Sequence, residues 1–232
     1  MNIEVWSDFA CPFCYIGKKR FEKALEKFPH KKEVNLTYKA YQLNPNAPKE
    51  MKEDAYHSFA RSHNMNVEQT KKRFDLFTQT AKSVGLTYRY DLIQMTNTRD
   101  AHRLAKWANT FNQEAILTER FMHAYFTEGK NLASHETLLA LIESLGLDVL
   151  EAKNVLESGL FEDEVNNQIL EGRQIGVQGV PFFVLNRKYG ISGAQDEDYI
   201  LQALNQLWQE QNPIQPLDSQ NSDSCKADDC DI

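Results

Sequence analysis

Two of the four cysteines in this 232-residue chain stand together as Cys11-Pro12-Phe13-Cys14. A pair spaced this way either supplies half of a metal site or cycles between dithiol and disulfide. The surrounding residue types favour the redox chemistry. Ile3-Glu4-Val5-Trp6 reads as a short strand, Ser7-Asp8-Phe9-Ala10 as a turn, and a helix begins at the pair. The first sulfur then sits at a helix N-terminus, where unpartnered backbone N–H groups and the helix dipole favour an anion, here a thiolate. The second thiol, one turn on, is placed to attack a mixed disulfide on the first and release the bound partner. Pro12 suits an early helical position, where its missing N–H costs nothing. Cys11 is the candidate nucleophile and Cys14 the candidate resolving thiol. Phe13, between them, is expected to shape the thiol environment and touch substrate.

Other chemistries fit less well. Zinc needs about four ligands, and His30, His57, His63, His102, His123 and His135 lack a compact ligand spacing, so no metal site is expected. Two inert buried cysteines would not need the strand–turn–helix setting. Gly172, Gly176 and Gly179 have the wrong spacing for a dinucleotide loop. Asp8 has two readings: a partly buried carboxylate that takes a proton from the resolving thiol through water, or a turn or capping aspartate. A second pair, Cys225 and Cys230, lies in an acidic segment and is assigned an accessory redox role, second in reactivity because Asp223, Asp228, Asp229 and Asp231 disfavour a thiolate there.

The elements that must position the first pair follow from periodicity. Phe21, Ala24, Leu25 and Phe28 mark one face of the first helix, which Pro29 ends. Val34, Leu36, Tyr38 and Ala40 alternate as a strand, broken by Asn44-Pro45-Asn46-Ala47-Pro48. Residues 50–171 read as helices only, with stripes at Phe74, Phe77, Ala81 and Val84 (Asn66 capping, Gln69 three residues on), at Ala101, Leu104, Ala105, Ala108 and Phe111, and at Leu117, Phe121, Ala124 and Tyr125. A further stripe follows Ser134 and stops at Gly146, and another runs from Val149 to Leu156. Strands return at Val180–Leu185 and Ile191–Gly193. A last amphipathic helix carries Ile200, Ala203, Leu204, Leu207 and Trp208. The expected organisation is 1–48, strand–helix–strand; 49–171, an inserted all-α domain; 172–211, strand–strand–helix; and 212–232, a disordered acidic tail.

Composition bounds the function. With 26 Lys+Arg against 33 Asp+Glu, a formal charge of −7 and no strong basic patch, nucleic-acid binding is excluded. Apolar runs of only a few residues exclude a membrane span. The start, Met1-Asn2-Ile3-Glu4-Val5-Trp6, lacks a basic stretch followed by a long apolar core, so no secretory signal and a cytoplasmic location are expected.

Ser7-Asp8-Phe9-Ala10-Cys11-Pro12-Phe13-Cys14-Tyr15-Ile16-Gly17 resembles the active-site signature of DsbA-like thioredoxin-fold proteins, in particular the FrnE-type branch. Tyr41–Pro45, Asn97–Leu104, Gly176–Phe183 and Ile191–Gln195 resemble further segments of that family, in the same order, and the likeness runs to about residue 210. The resemblance implies an α/β, thioredoxin-like fold interrupted by an all-α insertion, and thiol–disulfide oxidoreductase or isomerase activity on protein disulfides. It implies a cis Val180-Pro181 bond beside the cysteines, with the Gly179 and Val180 backbone receiving an extended substrate. The residues alone leave a trans proline at an edge strand equally open. Asn97, Thr98 and His102 either line a groove facing Cys11 or cap and pack an inserted helix. Some FrnE-like proteins carry a C-terminal Cys-x4-Cys, which implies a relay for Cys225 and Cys230. No bound cofactor is expected; glutathione or another low-molecular-weight thiol is a candidate reductant. The alternatives are a glutathione-dependent small-molecule isomerase or transferase, of the 2-hydroxychromene-2-carboxylate isomerase or kappa-class type, against which Cys14 argues, and a non-catalytic peptide-binding chaperone.

Overall fold

The computed structural model describes residues 1–213. Cys225, Cys230 and the expected acidic tail beyond residue 213 lie outside the described residues. Strands β1 (Asn2–Ser7), β2 (Asn35–Ala40), β3 (Phe182–Leu185) and β4 (Tyr189–Ser192) form one sheet in the order β2-β1-β3-β4. β1 runs parallel to β2, with Val5 opposite Tyr38, and antiparallel to β3, with Val5 opposite Phe183. A parallel pair needs a crossover, and helix α1 (Pro12–Lys27) supplies it. The predicted stripe of α1 lies on one face of the sheet: Phe21, Ala24 and Phe28 pack with Ile3, Val5, Phe183 and Leu185. Ile200, Leu204 and Leu207 of the last helix complete that layer.

Between β2 and β3 the chain forms α2 (Ala55–Ser62), α3 (Val67–Ser83), α4 (Arg99–Asn109), α5 (Glu114–Phe126), α6 (His135–Ser144), α7 (Val149–Glu157) and α8 (Glu162–Gln174); α9 (Glu197–Gln211) follows the sheet. Asn66 caps α3 in a capping box with Gln69, and the Ser134 hydroxyl accepts from Thr137 N–H at the start of α6. α4 stops at Asn109, two residues before the expected stripe ends. Phe111 lies in the turn that follows, where Asn112 takes φ +61°, and it is 37% exposed.

A larger departure concerns α8. Val165 and Ile169 pack on Ala40, the Trp6 indole N–H donates to the Gln168 carbonyl at 2.8 Å, and the Gln168 side chain accepts from Ala40 N–H at 2.8 Å. α8 therefore covers the second face of the sheet, and the helical insertion closes before Glu162 rather than at 171. A stripe of apolar residues on a helix does not say which core it faces, and this one faces the strands.

The remaining helices share a core with Phe74, Leu104, Leu117, Phe121 and Leu138, and that core reaches Phe9, Cys11, Cys14, Tyr15 and Ile16. One helix thus serves two cores: the active-site end of α1 lies in the helical unit and its far end on the sheet. Glu119 of α5 bolts the junction, receiving the Tyr15 hydroxyl at 2.6 Å, Lys18 at 2.5 Å and Lys19 at 2.8 Å. Burial alone would raise its pKa, but these partners hold it down at about 2. Among the described residues, no helix is long and apolar enough to cross a membrane.

Gly172 meets the Trp6 ring so closely that a β-carbon there would lie 2.6 Å from the indole nitrogen. Gly172→Ala should push Trp6 off the Gln168 carbonyl and cost about 1–3 kcal/mol by overpacking. An unchanged urea midpoint would show that α8 gives way more easily than this packing implies.

Candidate active site

The turn between β1 and α1 is closed by the Cys11 N–H, which donates to the Asp8 carbonyl at 3.1 Å. Cys11 is the N-cap residue, with extended backbone at φ −89° and ψ 116°, and its side chain makes no capping bond. Instead its thiol donates to the Val180 carbonyl at 3.4 Å. Cys14 follows in the first turn of the helix and is buried; its sulfur accepts from Asp8 N–H at 3.5 Å. Burial pushes the Cys14 thiol well above the ordinary cysteine range, and the adjacent Cys11 adds to this. The Ser7 hydroxyl and Asp8 N–H oppose it. Both cysteines are free thiols. The motif is more enclosed than its spacing alone suggests, since Cys11 is only 3% exposed.

Pro181 comes from the far end of the chain, and the Val180-Pro181 peptide bond is cis. Its ring packs on α1 at Gly17, where a β-carbon would lie 2.8 Å from Pro181 Cγ. This close approach requires a glycine and brings the Val180 carbonyl to the Cys11 sulfur. Gly179, just before it, faces open space.

Asp8 is buried, not partly buried, and its carboxyl is occupied by structure. Oδ1 accepts from the Thr98 hydroxyl at 2.8 Å and Ala10 N–H at 3.3 Å, and Oδ2 accepts from Leu43 N–H at 2.7 Å. It pins the turn to the exit of β2 and to the start of α4. Pro12 is held from the other side, its carbonyl accepting the Tyr88 hydroxyl at 2.7 Å. Phe13 is 37% exposed and packs edge-on against Phe77, with centroids 5.1 Å apart.

Asn97 and His102 are not placed as substrate contacts. The Asn97 amide donates to the Pro45 carbonyl at 2.8 Å and its oxygen accepts from Arg99 N–H at 2.8 Å, so it clamps the loop after β2 to the head of α4. His102 is buried beneath the turn, its ring tilted on Phe9 at 4.8 Å. The inner face of α4 is core, and His102 belongs to it.

A cleft of about 510 Å³ opens beside Ala10 and Pro12, walled by Phe59, Phe74, Phe77 and Tyr90. Tyr88, Tyr90 and Tyr125 surround the motif; sequence reasoning did not name the first two and read Tyr125 only as part of a helical stripe. Burial holds all three phenols well above the ordinary tyrosine range. Nothing in one sequence distinguishes such tyrosines from core aromatics. Among the described residues, no group of His, Cys, Asp and Glu is arranged to hold a metal.

This geometry can be set beside known proteins. The model of the DSBA-like thioredoxin domain matches residues 2–205. The fold superposes on the probable DsbA oxidoreductase of Streptomyces coelicolor with a TM-score of 0.84 at 35% identity, covering 100% of this chain and 99% of that one. An uncharacterized protein of Bacillus subtilis, YwbO, is 25% identical over 208 residues, 88% of this chain and 96% of that protein. The cytosolic disulfide reductase DsbM of Pseudomonas aeruginosa, crystallised with GSH, shares the fold at 15% identity, with a TM-score of 0.65 over 90% of this chain and 100% of that one. A 2-hydroxychromene-2-carboxylate isomerase shares it at 17% identity, with a TM-score of 0.67 over 91% of this chain and 98% of that one. With its sheet, its inserted helices and its paired thiols so arranged, the chain belongs to the DsbA-like thioredoxin-domain family.

Proposed function

We propose that this chain exchanges disulfides with protein substrates, Cys11 attacking and Cys14 resolving. The observation that carries this reading is the inequality of the two sulfurs. Cys11 lies at the head of α1 against a backbone carbonyl of the Pro181 loop, while Cys14 is buried within the helix and kept protonated by that burial. A nucleophile needs the helix terminus; a resolving thiol must stay silent until a mixed disulfide forms beside it. The open space beside Gly179 suits an extended substrate segment that pairs as a strand with the Gly179 and Val180 backbone. Asp8, Pro12 and Phe13 set the turn. In this reading the chain is of the FrnE-type branch and works in the cytoplasm on protein thiols and disulfides. Glutathione or another small thiol returns the pair to the dithiol state, and Cys225 and Cys230 serve as an accessory pair.

A second reading draws on the cleft. Its volume and aromatic walls suit a small ligand, as a glutathione-dependent isomerase would require. Insulin-disulfide reduction measured beside glutathione conjugation separates the two; conjugation without reduction would favour the second.

Cys14→Ser should accumulate a mixed disulfide on Cys11, and Cys11→Ser should accumulate none. Mass spectrometry of adducts trapped with a peptide disulfide decides this, and comparable adducts on Cys14 would reverse the roles.

Labelling by iodoacetamide should likewise be ordered. Cys11 is modified before Cys14, and Cys14 labelling rises only on the alkaline side, because burial raises its pKa and keeps it a thiol through neutrality. Peptide mapping that finds equal rates across this range would remove the distinction on which the assignment stands.

A further inference from the structure

Cys11 is nearly closed off from solvent, so a thiolate there depends on the donors that the fold supplies. As the N-cap residue of α1, its side chain is within reach of the second and third N–H groups of the helix, those of Phe13 and Cys14. The Cys14 N–H already donates to the Cys11 carbonyl at 3.1 Å. Pro12 has no N–H to give. The Phe13 N–H has no partner among the described residues, and it is the donor left over at the head of the helix.

That N–H shares one planar peptide unit with the Pro12 carbonyl. The carbonyl accepts the Tyr88 hydroxyl at 2.7 Å. Tyr88 is itself firmly held. It is buried, and its ring stacks on Phe126 with centroids 4.4 Å apart and on Tyr15 at 6.4 Å. Both of its neighbours are tied to the end of α5: the Thr87 carbonyl accepts the Thr127 hydroxyl at 2.7 Å, and the Arg89 N–H donates to the Phe126 carbonyl at 2.8 Å. Burial raises the Tyr88 phenol far above the ordinary tyrosine range, so it stays protonated and stays a donor. The helical unit thus reaches into the cysteine motif through one fixed hydroxyl.

We infer that Tyr88 is a positioning residue for the attacking sulfur, its hydroxyl holding and polarising the Pro12–Phe13 peptide so that the Phe13 N–H receives the Cys11 thiolate. This rests on Cys11 being the attacking thiol, as proposed above. In the resting dithiol the Cys11 sulfur is a donor, to the Val180 carbonyl at 3.4 Å. Once its proton is lost to bulk water, the sulfur can only accept, and it turns from that carbonyl to the helix head. A hydrogen bond accepted at the oxygen of a peptide unit strengthens the N–H at its other end, and it also fixes the plane in which that N–H points. Tyr88 does both without touching either sulfur.

The titratable groups that face Cys11 are Cys14 from its own helix, Tyr88 and Tyr90 from the segment before α4, and Tyr125 from α5. Tyr90 and Tyr125 are the rival phenols. Their hydroxyls are buried and have no hydrogen-bond partner, neither the motif backbone nor a sulfur. Of the three, Tyr88 is bonded into the motif.

The test is iodoacetamide labelling of the reduced full chain across pH, read at Cys11 by peptide mapping. Tyr88→Phe removes the hydroxyl and keeps the ring. It should move the pH profile of Cys11 labelling about half a unit to the alkaline side, roughly a threefold loss of rate on the acidic limb. The rate at the alkaline plateau should be unchanged, which a general loosening of the site would not leave so. Replacement of Tyr88 by 3-fluorotyrosine, a more acidic phenol and a stronger donor, should move the profile the other way; it carries the test if Tyr88→Phe does not fold. Tyr90→Phe and Tyr125→Phe should leave the profile in place. A profile unmoved by either change at Tyr88 overturns the inference, as does one moved equally by Tyr90→Phe or Tyr125→Phe. Labelling needs no disulfide substrate, so a chain that forms no mixed disulfide on Cys11 would sink the exchange reading, while the role of Tyr88 stands or falls by the profile.

Discussion

One buried carboxyl group organises the site. Asp8 takes hydrogen bonds from its own turn, from Leu43 in the loop after β2 and from the head of α4, and gives its N–H to the Cys14 sulfur. Its side chain is 2% exposed. Burying so polar a group is unfavourable unless its oxygens are satisfied, and here each is. The three donors come from separate parts of the fold, so the carboxyl is also the point at which sheet, loop and helical unit are brought into register. Removing it would leave buried N–H and O–H groups without partners, which costs more than the bonds themselves contribute.

The position of α1 follows from this arrangement. Its head is inserted into the helical unit while its tail lies on the sheet. That placement gives the two cysteines different surroundings although only Pro12 and Phe13 separate them. In an isolated peptide the sulfurs would differ little. Here both sulfurs are buried, but the helix terminus and the Pro181 loop act on Cys11, whereas Cys14 lies within the first turn of the helix, where burial raises its pKa. The inserted helices are therefore part of the thiol chemistry as well as a wall of the cleft.

How much of this could be read beforehand depends on the reach of each interaction. Local features were legible: the strand before the cysteines, the capping box of Asn66 and Gln69, the helix stop at Gly146 and the apolar alternation of β2. The role of Asp8 was not, because its decisive partner Thr98 is 90 residues away. For Asn97 and His102 a groove lining and a capping or packing role were both open; Asn97 clamps a loop and His102 packs under the turn. The stretch that forms α8 was assigned to the insertion because residues 50–171 read as helices only; the contact with Trp6 and Ala40 shows which layer it joins. Lys106 and Glu114, which form a buried ion pair between α4 and α5, gave no signal, since each taken singly reads as a solvated charge on a helix.

The strand order also fixes when in the life of a chain the site comes into being. β1 has one neighbour, β2, that follows it closely, but the other, β3, begins only at Phe182. Synthesis from the N-terminus commonly lets early segments fold as they emerge, but here the first strand and helix must wait. During translation both thiols are made long before the α5 and β3 segments that enclose them. Until those arrive, the nascent segment carries two nearly equivalent thiols on an open turn. The asymmetry between them is the last property of the active site to appear, although its cysteines precede in the chain most of the segments that enclose them.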